Sequence, residues 1–454
     1  MATQIKHEMK KSVKYTLYAI GLLVLIAGAV QFDKYSKGKK GSDSSSPQSA
    51  QTQNIPESSS IMKIAGSATI GEVLAPSLAK GYMQKLGYSD IQIINSSTNE
   101  KSVVGVKNGK KDRIDISTKG TTTGFSALDN NSVDLCMASS QAPAGNQYEE
   151  HVIGLDGIAI IVNKENPIQS ISIPDMRTMF SGNAMKIYRM DENSGTYKVF
   201  NELVMNGTQI NSSAQKLSSA SELVNSVSRS SSAIGFVGYT FSNSSGIKAL
   251  PISINNGSPA IIANSLTIQS EKYPLCRRLY FYCSKNGGSM SKEFLSYAES
   301  SEGQSIVSSN GFVNLTISVN NNSENPIAMP NDPIAYTQLI NTAKKVSTEF
   351  RFESGNSKLD SRGLADINRM VSFMSLPENK GKRVILVGFT DNVGDPSKNI
   401  SLSITRANSV RVILDATGIN IKEVKGFGSA RPVRGNDTPE DKANNRRVEV
   451  WLVD

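Results

Sequence analysis

Histidine is almost missing from this chain. His7 and His151 are the only two in 454 residues, so a His-based catalytic triad or a His-ligated zinc site has almost nothing to work with. Cysteine is equally sparse: Cys136, Cys276 and Cys283 show no metal-type spacing and lie in apolar, strand-like runs, which predicts buried free thiols. No serine sits in a recognisable catalytic motif with a histidine or lysine, so no enzyme, metal or cofactor is expected. The net charge of +9 and pI near 9.2 come without a zinc finger, an RNP motif or a dense basic helix. That excludes nucleic acid as the expected partner and leaves anionic lipid head groups or small anions. A mean hydropathy of −0.27 argues against a polytopic membrane protein. The length leaves room for two or three domains, because single cores rarely grow past about 250–300 residues.

One long apolar run is present, YTLYAIGLLVLIAGAVQF from Tyr15 to Phe32. At about 18 residues it is just long enough to cross a bilayer as a helix. Lys6, Lys10, Lys11 and Lys14 precede it, which predicts a cytoplasmic N-terminus (1–14) and an extracytoplasmic remainder. A retained inner-membrane anchor is the expectation, and Ala27-Gly28-Ala29 keeps open a cleaved signal peptide. No carboxylate lies inside the run to carry an ion through the membrane, as a stator subunit needs. Residues 33–60, rich in serine, have too few apolar side chains to fold and read as a tether; about 25 such residues average ~25–30 Å end to end. A second, Asn/Pro-rich joint at 319–332 separates two folded regions, 61–318 and 333–454.

The middle region reads as α/β with a mostly parallel sheet, short Val/Ile-rich strands alternating with helical stretches. Three helices begin on hydroxyl and glycine residues: Gly66-Ser67-Ala68-Thr69, Thr121-Thr122-Thr123-Gly124 and Asn193-Ser194-Gly195-Thr196. Helix starts offer unpaired N–H groups, so three that converge make an oxyanion socket, whereas any one alone is an ordinary helix cap.

Five segments carry a resemblance: GSATIGEVLAPSLAKGY (66–82), TTTGFSALDNNSVDLCMASSQAP (121–143), GLDGIAIIVNKENP (154–167), NSGTYKVF (193–200) and AIGFVGY (233–239). Together they resemble PstS-type phosphate-binding proteins, the two-lobed periplasmic binders that serve ABC transporters. The resemblance implies a two-lobed fold with Ser67, Thr69, Thr123, Ser140, Ser194, Gly195 and Thr196 around phosphate or a similar oxyanion. Gln141 stands where the family usually carries a charge, and Met190 stands at its arginine position with Arg189 one residue upstream. Both Gln141 and Arg189 are included in the expected site.

In the C-terminal region the helix expected at 402–414 places Leu402, Val410 and Ile413 on one stripe, and Arg406 falls at about 40° within it at 100° per residue. A buried guanidinium needs a partner, either an acid or an anionic ligand. Asp391, ending the preceding strand, is the candidate, and an internal Asp391–Arg406 bridge stays open. The segments TDNVGDPSKNISLSITRANSV (390–410) and GFGSARPVRGNDTPEDKANNRRVEV (426–450) resemble the OmpA-like family, which implies an α/β domain gripping peptidoglycan. By that resemblance Asp391 takes the ammonium and Arg406 the carboxylate of diaminopimelate, with Thr390, Asn399 and Arg446 contributing. Arg447 is expected to be mainly structural. The whole chain then reads as a single-pass inner-membrane protein with periplasmic domains, serving a transporter or another envelope machine. The alternative is a bridge between membrane and wall whose middle domain binds protein.

Overall fold

The β-branched runs of the middle region form one broad sheet because Val and Ile fit a pleated, buried surface. In this computed structural model residues 57–143, 148–192, 194–217, 219–319, 331–352, 359, 361–436 and 439–454 are described. The expected basic N-terminus (1–14), membrane helix (15–32), most of the 33–60 tether and most of the 319–332 joint lie outside the described residues. Among the described residues no helix is long and apolar enough to cross a membrane.

The sheet runs in the order Ser89–Ser97, Glu100–Lys107, Lys110–Ser117, Ser59–Gly66, Leu135–Ala138, Cys276–Ser284, Tyr148–Asn163, Ala233–Gly238, Lys186–Met190, Gln215–Leu217. Its pairings are mixed, not mostly parallel. Hairpin-linked strands at one edge and the long antiparallel pair Tyr148–Asn163 with Cys276–Ser284 account for the difference, since short turns join only antiparallel neighbours. Two apolar cores flank that pair. One gathers Met62, Leu74, Leu78, Phe281 and Phe294; the other gathers Ile160, Phe180, Phe200 and Phe236, with the last two rings stacked 3.9 Å apart.

The C-terminal α/β region is a four-stranded sheet, Lys344–Arg351, Arg447–Val453, Arg383–Gly388, Ile421–Gly426. Residues of the last strand alternate between faces. Val448, Val450 and Leu452 join a core with Met370, Ala407 and Val410 from helices Ser361–Met374 and Pro396–Ala416, while Trp451 and Val453 join Tyr336 and Leu339 of helix Ile334–Thr342. The strand Ile421–Gly426 and the helix Pro439–Asn445 were not foreseen.

Leu402 leaves the expected stripe. It is 41% exposed, and Ser403 is fully buried in its place. The helix lies so close to two strand-end glycines that a Cβ on Gly388 would meet the Ser403 carbonyl and one on Gly426 would meet its Oγ. Only a small side chain fits there.

The two regions meet on a seam of buried charge. Lys272 Nζ reaches Glu349 Oε1 at 2.8 Å and Glu449 Oε1 at 3.0 Å. Lys345 and Arg447 bind the same carboxylates, and Tyr336 and Trp451 donate to Glu449 Oε2 at 2.9 and 3.2 Å. Next to Lys272, Glu271 accepts from Arg278 at 2.6 and 3.0 Å and pairs with Arg351 and Arg362. Burial alone would raise the Glu271 pKa, but these arginines outweigh it and hold the carboxyl far below its ordinary value. One short loop, Gln269–Tyr273, thus supplies two charges and, through its carbonyls, acceptors for Arg351, Arg362 and Arg434.

Candidate functional site

Gly66 closes the first strand at φ +139, where a Cβ would collide with the Met137 carbonyl. Only glycine lets the chain turn there so tightly. The turn lets Ser67 N–H donate to Met137 O (2.7 Å) and Gly120 N–H to Gly66 O (2.8 Å), which brings the starts of helices Ala68–Gly71 and Thr121–Asp129 together. The third start joins them: a Cβ on Gly195 would lie 3.5 Å from Thr69 Cγ2. The convergence expected from the three turns is therefore present.

Side chains within it differ from the expected set. Ser67 and Thr69 are buried, and Ser194, Gly195 and Thr196 are half-buried. Thr123 is exposed and donates back to the Lys119 carbonyl at 3.3 Å, while Thr121 Oγ1 accepts from Ser139 N–H at 3.4 Å. Ser140 and Gln141 are exposed at the rim. Arg189 lies over the Tyr197 ring and pairs with Glu192 at 2.6 Å, and that hydrogen bond leads the contacts holding the Glu192 pKa at about 2.

The cation at these turns is one that sequence reasoning missed. Arg277, on strand Cys276–Ser284, donates from Nη2 to Thr69 Oγ1 (2.9 Å) and from Nη1 to Glu202 (2.8 Å), with Nε 3.6 Å from Asp156. Asp156 is its cross-strand partner; burial pushes that carboxyl up and Arg277 opposes it. The available signal was Arg277-Arg278 opening an otherwise apolar strand. A cavity of about 360 Å³ adjoins it, lined among others by Gln141, Arg277, Tyr280, Arg351 and Arg434.

The second site lies in the C-terminal region. Arg406 is 3% exposed, its guanidinium 5.7 Å from the Phe352 ring centre, and its Nε and Nη1 are buried with no hydrogen-bond partner among the described residues. Burial lowers its pKa, as does neighbouring Arg446, with Asp391 pulling the other way. The internal bridge of Asp391 is made to Arg446 instead, Nη1 to Oδ2 at 2.9 Å. Thr390 and Asn399 shape the loop: Thr390 Oγ1 donates to Asp391 O (2.9 Å) and Asn399 Nδ2 to Val393 O (3.0 Å). Asp391, Arg406 and Arg446 thus form one cluster, and Arg447 lies in the seam, where it is structural.

Comparison with known proteins agrees with both regions. Residues 44–302 match the PBP superfamily domain and residues 351–446 the OmpA family. The chain is 28% identical over 229 residues to the phosphate-binding protein PstS of Staphylococcus saprophyticus, covering 45% of this chain and 70% of that protein. It is 25% identical over 209 residues to Protein SphX of Synechococcus elongatus, covering 39% of this chain and 62% of that protein. A solved structure of a possible phosphate binding protein from Planctomyces limnophilus is 21% identical with a TM-score of 0.48, covering 57% of this chain and 93% of that one. The binding-protein family and the OmpA family are both non-enzymatic. Since the first match takes in more than half of its residues, the chain belongs to the PBP superfamily, with an OmpA-family domain following it.

Proposed function

We propose that this protein captures phosphate or a similar oxyanion in its middle region, grips peptidoglycan through diaminopimelate in its C-terminal region, and is anchored in the inner membrane by residues 15–32. The observation that carries the wall-binding half is Arg406. A buried guanidinium with two N–H groups unmade is expensive, and a carboxylate arriving in its plane makes the bidentate pair those groups are shaped for. Asp391 beside it supplies the opposite charge for an ammonium, so the cluster suits a zwitterion. Similarity to the PstS of S. saprophyticus and the hydroxyl turns around Arg277 support phosphate as the ligand of the first site.

Two measurements test the pair of assignments. Calorimetric titration of the refolded full chain in detergent with phosphate gives a saturable heat, and flat traces with phosphate and sulfate sink the anion reading. Co-sedimentation with purified sacculi is expected for the wild type and lost in Asp391→Asn.

A second reading is supported by two observations: Arg189 is already neutralised by Glu192, and the seam fixes the two regions to each other. On that reading the middle region is a protein-interaction module of a membrane-to-wall bridge, and flat anion titrations favour it.

A further inference from the structure

The long strand pair carries a group of side chains, away from Arg277, that neither site uses. Glu149 and His151 are two residues apart on strand Tyr148–Asn163 and so share a face. Cys283 is the direct cross-strand partner of Glu149, which puts it on that face too. His151 Nε2 lies 3.3 Å from Glu149 Oε1, and Cys283 Sγ 4.0 Å from Glu149 Oε2. The three ligand atoms all fall within 4.8 Å of one another. Around a zinc ion with bonds of about 2.0–2.3 Å, tetrahedral ligands stand roughly 3.3–3.7 Å apart. The free cluster is therefore only slightly open.

Two further features point to a ligand. His151 Nε2 is buried and has no hydrogen-bond partner among the described residues. On the other side of the ring, Nδ1 is 3.0 Å from Glu299 Oε1, at the end of helix Ser289–Glu299. A carboxylate behind Nδ1 fixes the tautomer that presents the Nε2 lone pair, the arrangement metal-bound histidines keep. Cys283 is buried, whereas the Glu149 side chain is 44% exposed and leaves an entry path and a fourth position for water.

We propose that Glu149, His151 and Cys283 bind a borderline divalent cation of the zinc class, with Glu299 as the positioning residue behind His151. The mixed thiolate, imidazole and carboxylate set selects such an ion over magnesium or calcium. Its effect is to fasten the two central strands to the helix that covers them. The sequence conceals the site because Cys283 is far from His151 along the chain.

Cobalt(II) titration of the chelator-stripped full chain in detergent tests this. The expected result is one equivalent bound, with a thiolate-to-cobalt charge-transfer band in the near ultraviolet that zinc abolishes by displacement. Cys283→Ser removes the band, and Glu299→Gln retains it with affinity about 10–100-fold weaker. Should Cys283→Ser not fold, Glu149→Gln, altered on the exposed rim, must weaken cobalt binding with the metal-free melting temperature unchanged. Absence of the band in the wild type, its survival in Cys283→Ser, or cobalt affinity indifferent to both glutamate changes overturns the proposal; His151 is then simply ion-paired.

Discussion

The seam between the two regions and the Arg406 site both bury arginine, with opposite bookkeeping. In the seam Arg278, Arg351 and Arg362 meet Glu271, and Lys272, Lys345 and Arg447 meet Glu349 and Glu449. At the other site Asp391 is taken by Arg446, and among the described residues Arg406 keeps buried N–H groups unmade. A buried charge that has found its partner is architecture; one kept waiting is reserved for something that arrives. Arg277 stands between these cases, since it is paired yet touches Thr69 in the proposed anion site.

Breaking the seam should cost most. Glu449→Ala leaves Lys272, Lys345 and Arg447 buried with one shared acid fewer, and a loss of about 3–5 kcal/mol in unfolding stability is expected by chemical denaturation. An unchanged midpoint would show that the seam is not energetically coupled.

Arg406 should behave in the reverse sense. Arg406→Ala is expected to weaken sacculus binding by about 2–5 kcal/mol, while Arg406→Met leaves thermal stability equal or higher because a partnerless buried charge has been removed. A variant that binds sacculi normally, or that unfolds, contradicts the contrast. For the intermediate case, Arg277→Ala should reduce phosphate affinity by about 1.5–3 kcal/mol in calorimetry; Thr123→Ala, whose exposed hydroxyl bonds the Lys119 carbonyl just ahead of its helix, should change it by less than about 0.5 kcal/mol.

pH sharpens the same comparison. Glu271 and Glu449 are each pushed up by burial but pulled further down by their cationic partners, to below the 4.5 of a free glutamate. The stability they contribute is complete above pH 4.5 and is lost as pH falls through their lower folded values. Melting temperature is therefore expected to drop on acidification below pH 4.5, and Glu271→Gln to flatten that slope. A wild-type profile with no acid limb would remove the charge argument for the seam.

The seam was invisible from sequence although every member of it was in view. Glu271 and Lys272 sit in one short loop, and nothing along the chain links them to Arg362 or Glu449. Local periodicity carries no information about which domain a turn will face. Arg277 escaped for a related reason, since its partners Thr69, Asp156 and Glu202 lie on three separate segments. Arg406 was legible because a helix imposes a 3.6-residue period and a guanidinium within an apolar stripe violates it. Even there the internal bridge forms elsewhere: Asp391 is bound by Arg446, just ahead of the neighbouring strand, and Leu402 yielded its place to Ser403 because Gly388 and Gly426 bring the helix in close.

What the sequence determined by itself was the set of local conformations. It determined the hydroxyl and glycine turns that open helices, the alternating strands, and a charge that must be answered, because each depends on spacing within one element. Only the tertiary structure decided which charges answer one another. Pairing energy falls steeply with distance, and distance across a fold is set by how sheets and helices pack rather than by separation along the chain.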